Sequence, residues 1–179
     1  MTPGCAMKMP FAICLLFVVA LTPGCSGHGC RHTDWCACSN GTECVQSCED
    51  NNGCRFFCDH MAKCGATCGT ACNIEFHDAK ENVVTCGDAC NISCHDGPSC
   101  DATCGADCTY TSYNTDTSTL RAGPNSMIAC VSVKNCVVEC TGSCVVSCTD
   151  QVDQCQVTCP NGASPVTCTD GRLACGDSC

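Results

Sequence analysis

The chain has 179 residues, 29 of them cysteine, a net charge of −10 and only 4% aromatic residues. Large apolar side chains are too few for a conventional hydrophobic core, so covalent staples must replace it. The acidic balance excludes nucleic-acid binding, because phosphates demand a basic surface.

The only sustained apolar run is Phe11 to Leu21, FAICLLFVVAL, preceded by Lys8. It falls short of the roughly 20 residues that span a bilayer but suits the core of a signal peptide. Residues 1–24 are therefore expected to be a signal peptide. Leu21-Thr22-Pro23-Gly24-Cys25-Ser26-Gly27 resembles a bacterial lipoprotein signal, which makes Cys25 the expected lipidation site. The leucine stands four residues before the cysteine rather than three, and secretion without a lipid stays open. Either route takes the chain out of the reducing cytosol, where disulfides persist. The expected location is the outer membrane or cell surface, or otherwise the medium. Residues 25–43 are expected to form a lipid-anchor linker and a partial first coil, and residues 44–179 the cysteine-rich body.

Within that body the dominant spacing is one cysteine every four residues, as in Cys90-Asn-Ile92-Ser-Cys94 and Cys144-Val-Val146-Ser-Cys148. In an extended strand, residues i, i+2 and i+4 share one face, so each segment turns two cysteines and one small apolar residue inward. The strands recur in pairs with a period near 18 residues. A cysteine closes each first strand at 30, 48, 68, 86, 104, 130, 148 and 168, and another opens each second strand at 36, 54, 72, 90, 108, 136, 155 and 175. The predicted fold is all-β: a small, disulfide-stapled parallel β-solenoid with two short strands per coil. Seven full coils and a partial one at ~4.8 Å each give a rod about 35–40 Å long. Residues 113–125, YNTDTSTLRAGPN, read as an insertion loop.

Two disulfide schemes compete. The preferred one pairs cysteines across turns. Its inner corners are Cys30–Cys36, Cys48–Cys54, Cys68–Cys72, Cys86–Cys90, Cys104–Cys108, Cys130–Cys136, Cys148–Cys155 and Cys168–Cys175. Its outer corners are Cys58–Cys64, Cys94–Cys100 and Cys140–Cys144, with Cys38–Cys44 and Cys159–Cys179 completing the set. The outer corners favour it: both residues are cysteine or neither is, as at Phe76/Asn82. The rival pairs cysteines up the stack, since a coil spacing of ~4.8 Å suits a disulfide too.

The repeat resembles the insect disulfide-cored β-helix antifreeze proteins, which run cystines through a narrow interior. Signal and repeats together also resemble cysteine-rich repeat lipoproteins of the myxobacterial type.

Candidate chemistry is sparse. Thiolate metal clusters favour Cys-x-Cys and Cys-x2-Cys, and here the first occurs once, at Cys36/Cys38, and the second not at all. The outer turns suggest another site. His77 and His95 lie 18 residues apart, as do Asp78 and Asp96, a stack able to hold Zn²⁺ or Cu²⁺. The competing reading is ordinary turn chemistry, and Asp59-His60 one coil earlier runs in the reverse order. A hydroxyl ladder (Ser47, Thr67, Thr85, Thr103, Ala129, Ser147, Thr167) raises ice binding, although its companion column (Val45, Gly65, Val83, Asp101, Met127, Val145, Pro165) is not threonine. No nucleophile triad, nucleotide loop or HExxH motif stands in the sequence, so no enzyme and no cofactor are expected. The expected function is a rigid structural, adhesion or interaction module. Its partner is an unidentified surface or extracellular molecule, and it meets the membrane only through the possible lipid. The alternative is divalent-metal binding at the His/Asp stack.

Overall fold

In the computed structural model, residue 30 and residues 35–48, 50–176 and 179 are described. The proposed signal peptide and Cys25 lie outside them. Two strands open the body, β1 (Trp35–Ser47) and β2 (Arg55–Cys68). Each runs through an outer corner without a break and so contributes to both faces of the rod. β1 and β2 pair in parallel along both faces and start two stacks. The first face continues through β4 (Glu81–Cys86), β6 (Ser99–Cys104), β8 (Thr117–Ala122), β10 (Asn135–Cys140) and β12 (Gln154–Thr158). The second continues through β3 (Asn73–His77), β5 (Asn91–His95), β7 (Thr109–Tyr113), β9 (Ser126–Val131) and β11 (Cys144–Thr149). Every pairing along both stacks is parallel. The chain is a parallel β-solenoid of about seven turns with a period near 18 residues.

Register follows the inward residues. On the first face Ala66, Val84, Ala102, Leu120 and Val138 stack in one buried column. On the second, Phe56, Ile74, Ile92, Tyr110, Ile128 and Val146 do the same. One-residue slips would turn these columns to solvent, so alternation fixes the pairing. The cystines flank these columns, closing the corners on either side.

Twelve disulfides link the described cysteines, and ten are the local bridges expected: Cys30–Cys36, Cys38–Cys44, Cys48–Cys54, Cys58–Cys64, Cys68–Cys72, Cys86–Cys90, Cys94–Cys100, Cys130–Cys136, Cys140–Cys144 and Cys148–Cys155. Stacked pairing is absent even where register permits it, as between Cys68 and Cys86. Each such short loop removes roughly 2 kcal/mol of unfolded-chain freedom in the chain-entropy model.

Three expectations need correction. Residues 113–125 are not an insertion. They hold β8, which turns Ser118, Leu120 and Ala122 inward between β6 and β10. The 18-residue period runs through unbroken, with serine or alanine where other coils carry cysteine. From there onward the faces exchange relative to the expectation: β9 lies on the second face and β10 on the first. Cys130–Cys136 is therefore an outer corner and Cys140–Cys144 an inner one.

The second correction is the C-terminus. The expected pairs Cys168–Cys175 and Cys159–Cys179 are replaced by Cys159–Cys175 and Cys168–Cys179. The chain does not complete another parallel coil. β13 (Val166–Thr167) and β14 (Leu173–Cys175) form an antiparallel hairpin, and β14 lies antiparallel on β11, opposing Cys175 to Cys144. The reversal carries Cys175 towards Cys159.

The third is Cys104 and Cys108, expected to bridge but present as two buried thiols. Their corner is held by hydrogen bonds instead. The Cys108 thiol donates to the Gly105 carbonyl at 3.3 Å, and the Cys108 amide donates to Ser126 Oγ at 3.3 Å. Glycines pack this corner: Gly87, Gly105 and Gly123 lie so close to the preceding coil that a Cβ would collide with its backbone. Each donates its amide across the coil boundary, Gly105 to Gly87 at 2.9 Å and Gly123 to Gly105 at 3.0 Å.

Candidate functional site

The opposite corner, where the second face turns into the first, gathers the polar chemistry. Its backbone adopts a left-handed conformation in successive coils, at His60 (φ 52), Asp78 (φ 48), Asp96 (φ 56), Asn114 (φ 52), Ser132 (φ 55) and Asp150 (φ 55). Asp, Asn and His are the residues that tolerate this region best without glycine. The turn reading of Asp78 and Asp96 is therefore physically real. It also explains the reversed Asp59-His60 pair: Asp59 aligns with His77 in the ladder, so His60 takes the corner position that Asp78 takes one coil on.

The four residues singled out from the sequence do not converge. His77 and His95 stack face to face, ring centroids 4.6 Å apart and planes within 11°. His77 Nε2 meets Glu75 Oε1 at 2.8 Å, and His95 Nε2 meets Ser93 Oγ at 2.6 Å. Asp96 accepts a hydrogen bond from Asn114 Nδ2 at 2.7 Å. Asp78 turns the other way, with Oδ2 3.3 Å from His60 Nε2. The lone pairs of parallel rings lie in their own planes rather than toward a common point, and each Nε2 already meets a neighbour on its own strand.

What does converge is Asp59, His60 and Asp78, with one ligating atom from each within 4.8 Å of the others. Asp59 Oδ1 lies 2.6 Å from His60 Nδ1. The other cysteine-containing clusters of this kind, such as Cys48, Cys68 and Cys72, consist of cystine sulfurs and offer no thiolate.

The histidine pair belongs to a longer run of rings on the second face. Trp35 to Phe57 is 6.5 Å, Phe57 to His77 5.6 Å, and His95 to Tyr113 6.0 Å between centroids. His77, His95 and Tyr113 recur at 18 residues, a signal legible in the sequence, whereas Phe57 lies diagonally, beside Glu75 in register. Burial lowers the His95 pKa below the usual value, and neighbouring His77 lowers it further, against the pull of Glu75 and Asp96.

The hydroxyl ladder is shorter than expected. Ser47, Thr67, Thr85 and Thr103 share the first face, but Arg121 and Glu139 follow them, while Ala129 and Ser147 belong to the second. In comparisons with known proteins, the chain matches no family model, no curated sequence and no solved structure.

Proposed function

We propose that the protein is a non-enzymatic, exported surface module: a rigid spacer whose flat faces meet other molecules in adhesion or assembly. The observation that supports this best is the set of ten local cystines closing most corners of one narrow rod. So dense a set belongs to an oxidising, extracellular environment. No helix among the described residues is long and apolar enough to cross a membrane. Solenoids act through their long regular faces, and here both carry exposed side chains, including Trp35, Val45, Tyr113 and Met127. We further propose attachment through a lipid on Cys25, on the strength of Leu21 to Gly27 and the resemblance to bacterial cysteine-rich lipoproteins.

Fractionation of bacteria producing the full chain tests the reading. The protein is expected in the envelope fraction, and Cys25→Ala is expected to move it to the soluble exported fraction. Envelope association unchanged by Cys25→Ala would remove the lipid, and a reduced protein retained in the cytosol would remove export.

A further inference from the structure

We propose that His60 and Asp78 form a binding site for one first-row divalent cation of the zinc or copper type, with Asp59 orienting the imidazole. Imidazole and carboxylate are the ligand types these ions favour. His60 Nε2 and Asp78 Oδ2 are 3.3 Å apart. Two donors at about 2.1 Å from a common ion, subtending a near-tetrahedral angle, are separated by about 3.4 Å. The pair already stands at a chelating distance.

Asp59 supplies the second element. Its carboxylate, 2.6 Å from His60 Nδ1, favours the proton on that nitrogen and leaves Nε2 as the ligating atom, 3.3 Å from Asp78 Oδ2. A carboxylate behind a ligating histidine is the usual outer-shell arrangement of metal centres, fixing both tautomer and ring orientation. The site lies on the surface, with the His60 side chain 58% and Asp78 49% exposed, so water completes the coordination sphere and no entry path is needed. The chain's net charge of −10 favours cation approach. Among the described corner residues of this ladder, His60 alone offers a nitrogen ligand; Asp78, Asp96, Asn114, Ser132 and Asp150 follow it.

The competing account is an imidazolium held between two carboxylates with no ion involved. Calorimetric titration of the oxidised, chelator-treated full-length protein with ZnCl₂ and with CuCl₂ separates the two. The expected result is one equivalent bound by the wild type. His60→Asn should abolish it, and asparagine keeps the left-handed corner because Asn114 already occupies the same position three coils later. Asp78→Asn should remove most of the affinity, and Asp59→Asn should lower it about 10–100-fold. Circular dichroism and an unchanged disulfide count establish that each variant is folded. Three outcomes overturn the proposal: no binding by wild type, binding that survives His60→Asn, or binding lost in the His77→Ala/His95→Ala double variant. None of these bears on where the chain resides or whether Cys25 carries lipid.

Discussion

His95 shows how one side chain in a stack acquires a pH dependence. Its ring lies against His77, and burial together with that neighbour lowers its pKa below the ordinary value near 6.5. The folded state therefore takes up the proton less readily than the unfolded chain. The stability contributed by the neutral ring is present above about pH 6.5 and is lost as pH falls through the lower folded value. His95→Phe keeps a ring in the stack and removes the titration. Melting of wild type and variant from pH 7.5 down to pH 4.5 should show the variant gaining relative to wild type as the medium acidifies. A constant difference between the two would dismiss the effect. The 18-residue spacing of His77 and His95 was legible in the sequence, and it correctly stacked them. What the rings meet was not legible: Glu75 and Ser93, two residues earlier on the same strand face, contact His77 Nε2 and His95 Nε2. Nor did the order Asp59-His60 reveal its use. Only the left-handed corner sets His60 beside Asp78.

At the level of single strands, the coil around β8 shows what replaces a cystine. Ser112 lies between Cys94 and Cys130 in the ladder, and Ser118 between Cys100 and Cys136. Both neighbouring pairs are bridged, each with Cα atoms 6.4 Å apart. In the intervening coil buried hydroxyls pair instead: Tyr110 with Ser118 at 2.7 Å and Ser112 with Thr115 at 2.7 Å. Burial raises the Tyr110 pKa to about 12, although its serine contacts act in the opposite sense. Tyr110→Phe leaves the Ser118 hydroxyl without this partner and should cost about 1–3 kcal/mol. Denaturant unfolding measures the loss, and amide exchange should localise it to residues 109–131. Conversely, Ser112→Cys with Ser118→Cys should close a further bridge and add about 2 kcal/mol, visible as a mass loss of two hydrogens and a higher melting temperature. A pair that stays reduced under oxidising conditions would show that this corner differs from its neighbours. Cysteine spacing alone made these residues look like an insertion. The inward series Ala102, Leu120, Val138 carried the period through the gap, and that apolar alternation was the better guide.

For the molecule as a whole, the C-terminal end of the rod is closed by a reversal of the chain. At the C-terminal end the antiparallel hairpin of β13 and β14 covers the last strand of the second face. Covered edges resist strand addition by other chains. Peptide mapping under non-reducing conditions should recover Cys159 linked to Cys175 and Cys168 linked to Cys179, with Cys104 and Cys108 alkylated only after denaturation. Recovery of a Cys168–Cys175 peptide would restore a parallel final coil, and a Cys104–Cys108 peptide would make that corner like the others. The parallel coil architecture could be read from periodicity because every coil repeats the same inward pattern. The hairpin could not, since Val166-Thr167 and Leu173-Ala174-Cys175 are too short to announce their direction.

Because nearly all the bridges close within a single turn of the winding, they stiffen corners without tying one coil to the next. Pulled by its ends, such a rod comes apart as a thread unwinds from a spool, one lap at a time, against backbone hydrogen bonds and side-chain packing with no covalent tie to the lap below. An 18-residue lap of free chain reaches about 60 Å when drawn out. In a lap carrying Cys86–Cys90 and Cys94–Cys100, the bridges bypass ten residue steps with Cα spans of 6.5 and 6.4 Å, leaving about 40 Å. The lap that contains β8 pays out its full length. Cystines thus set the length released at each step, and the serine-bearing lap is the rod's one long stitch between shorter ones.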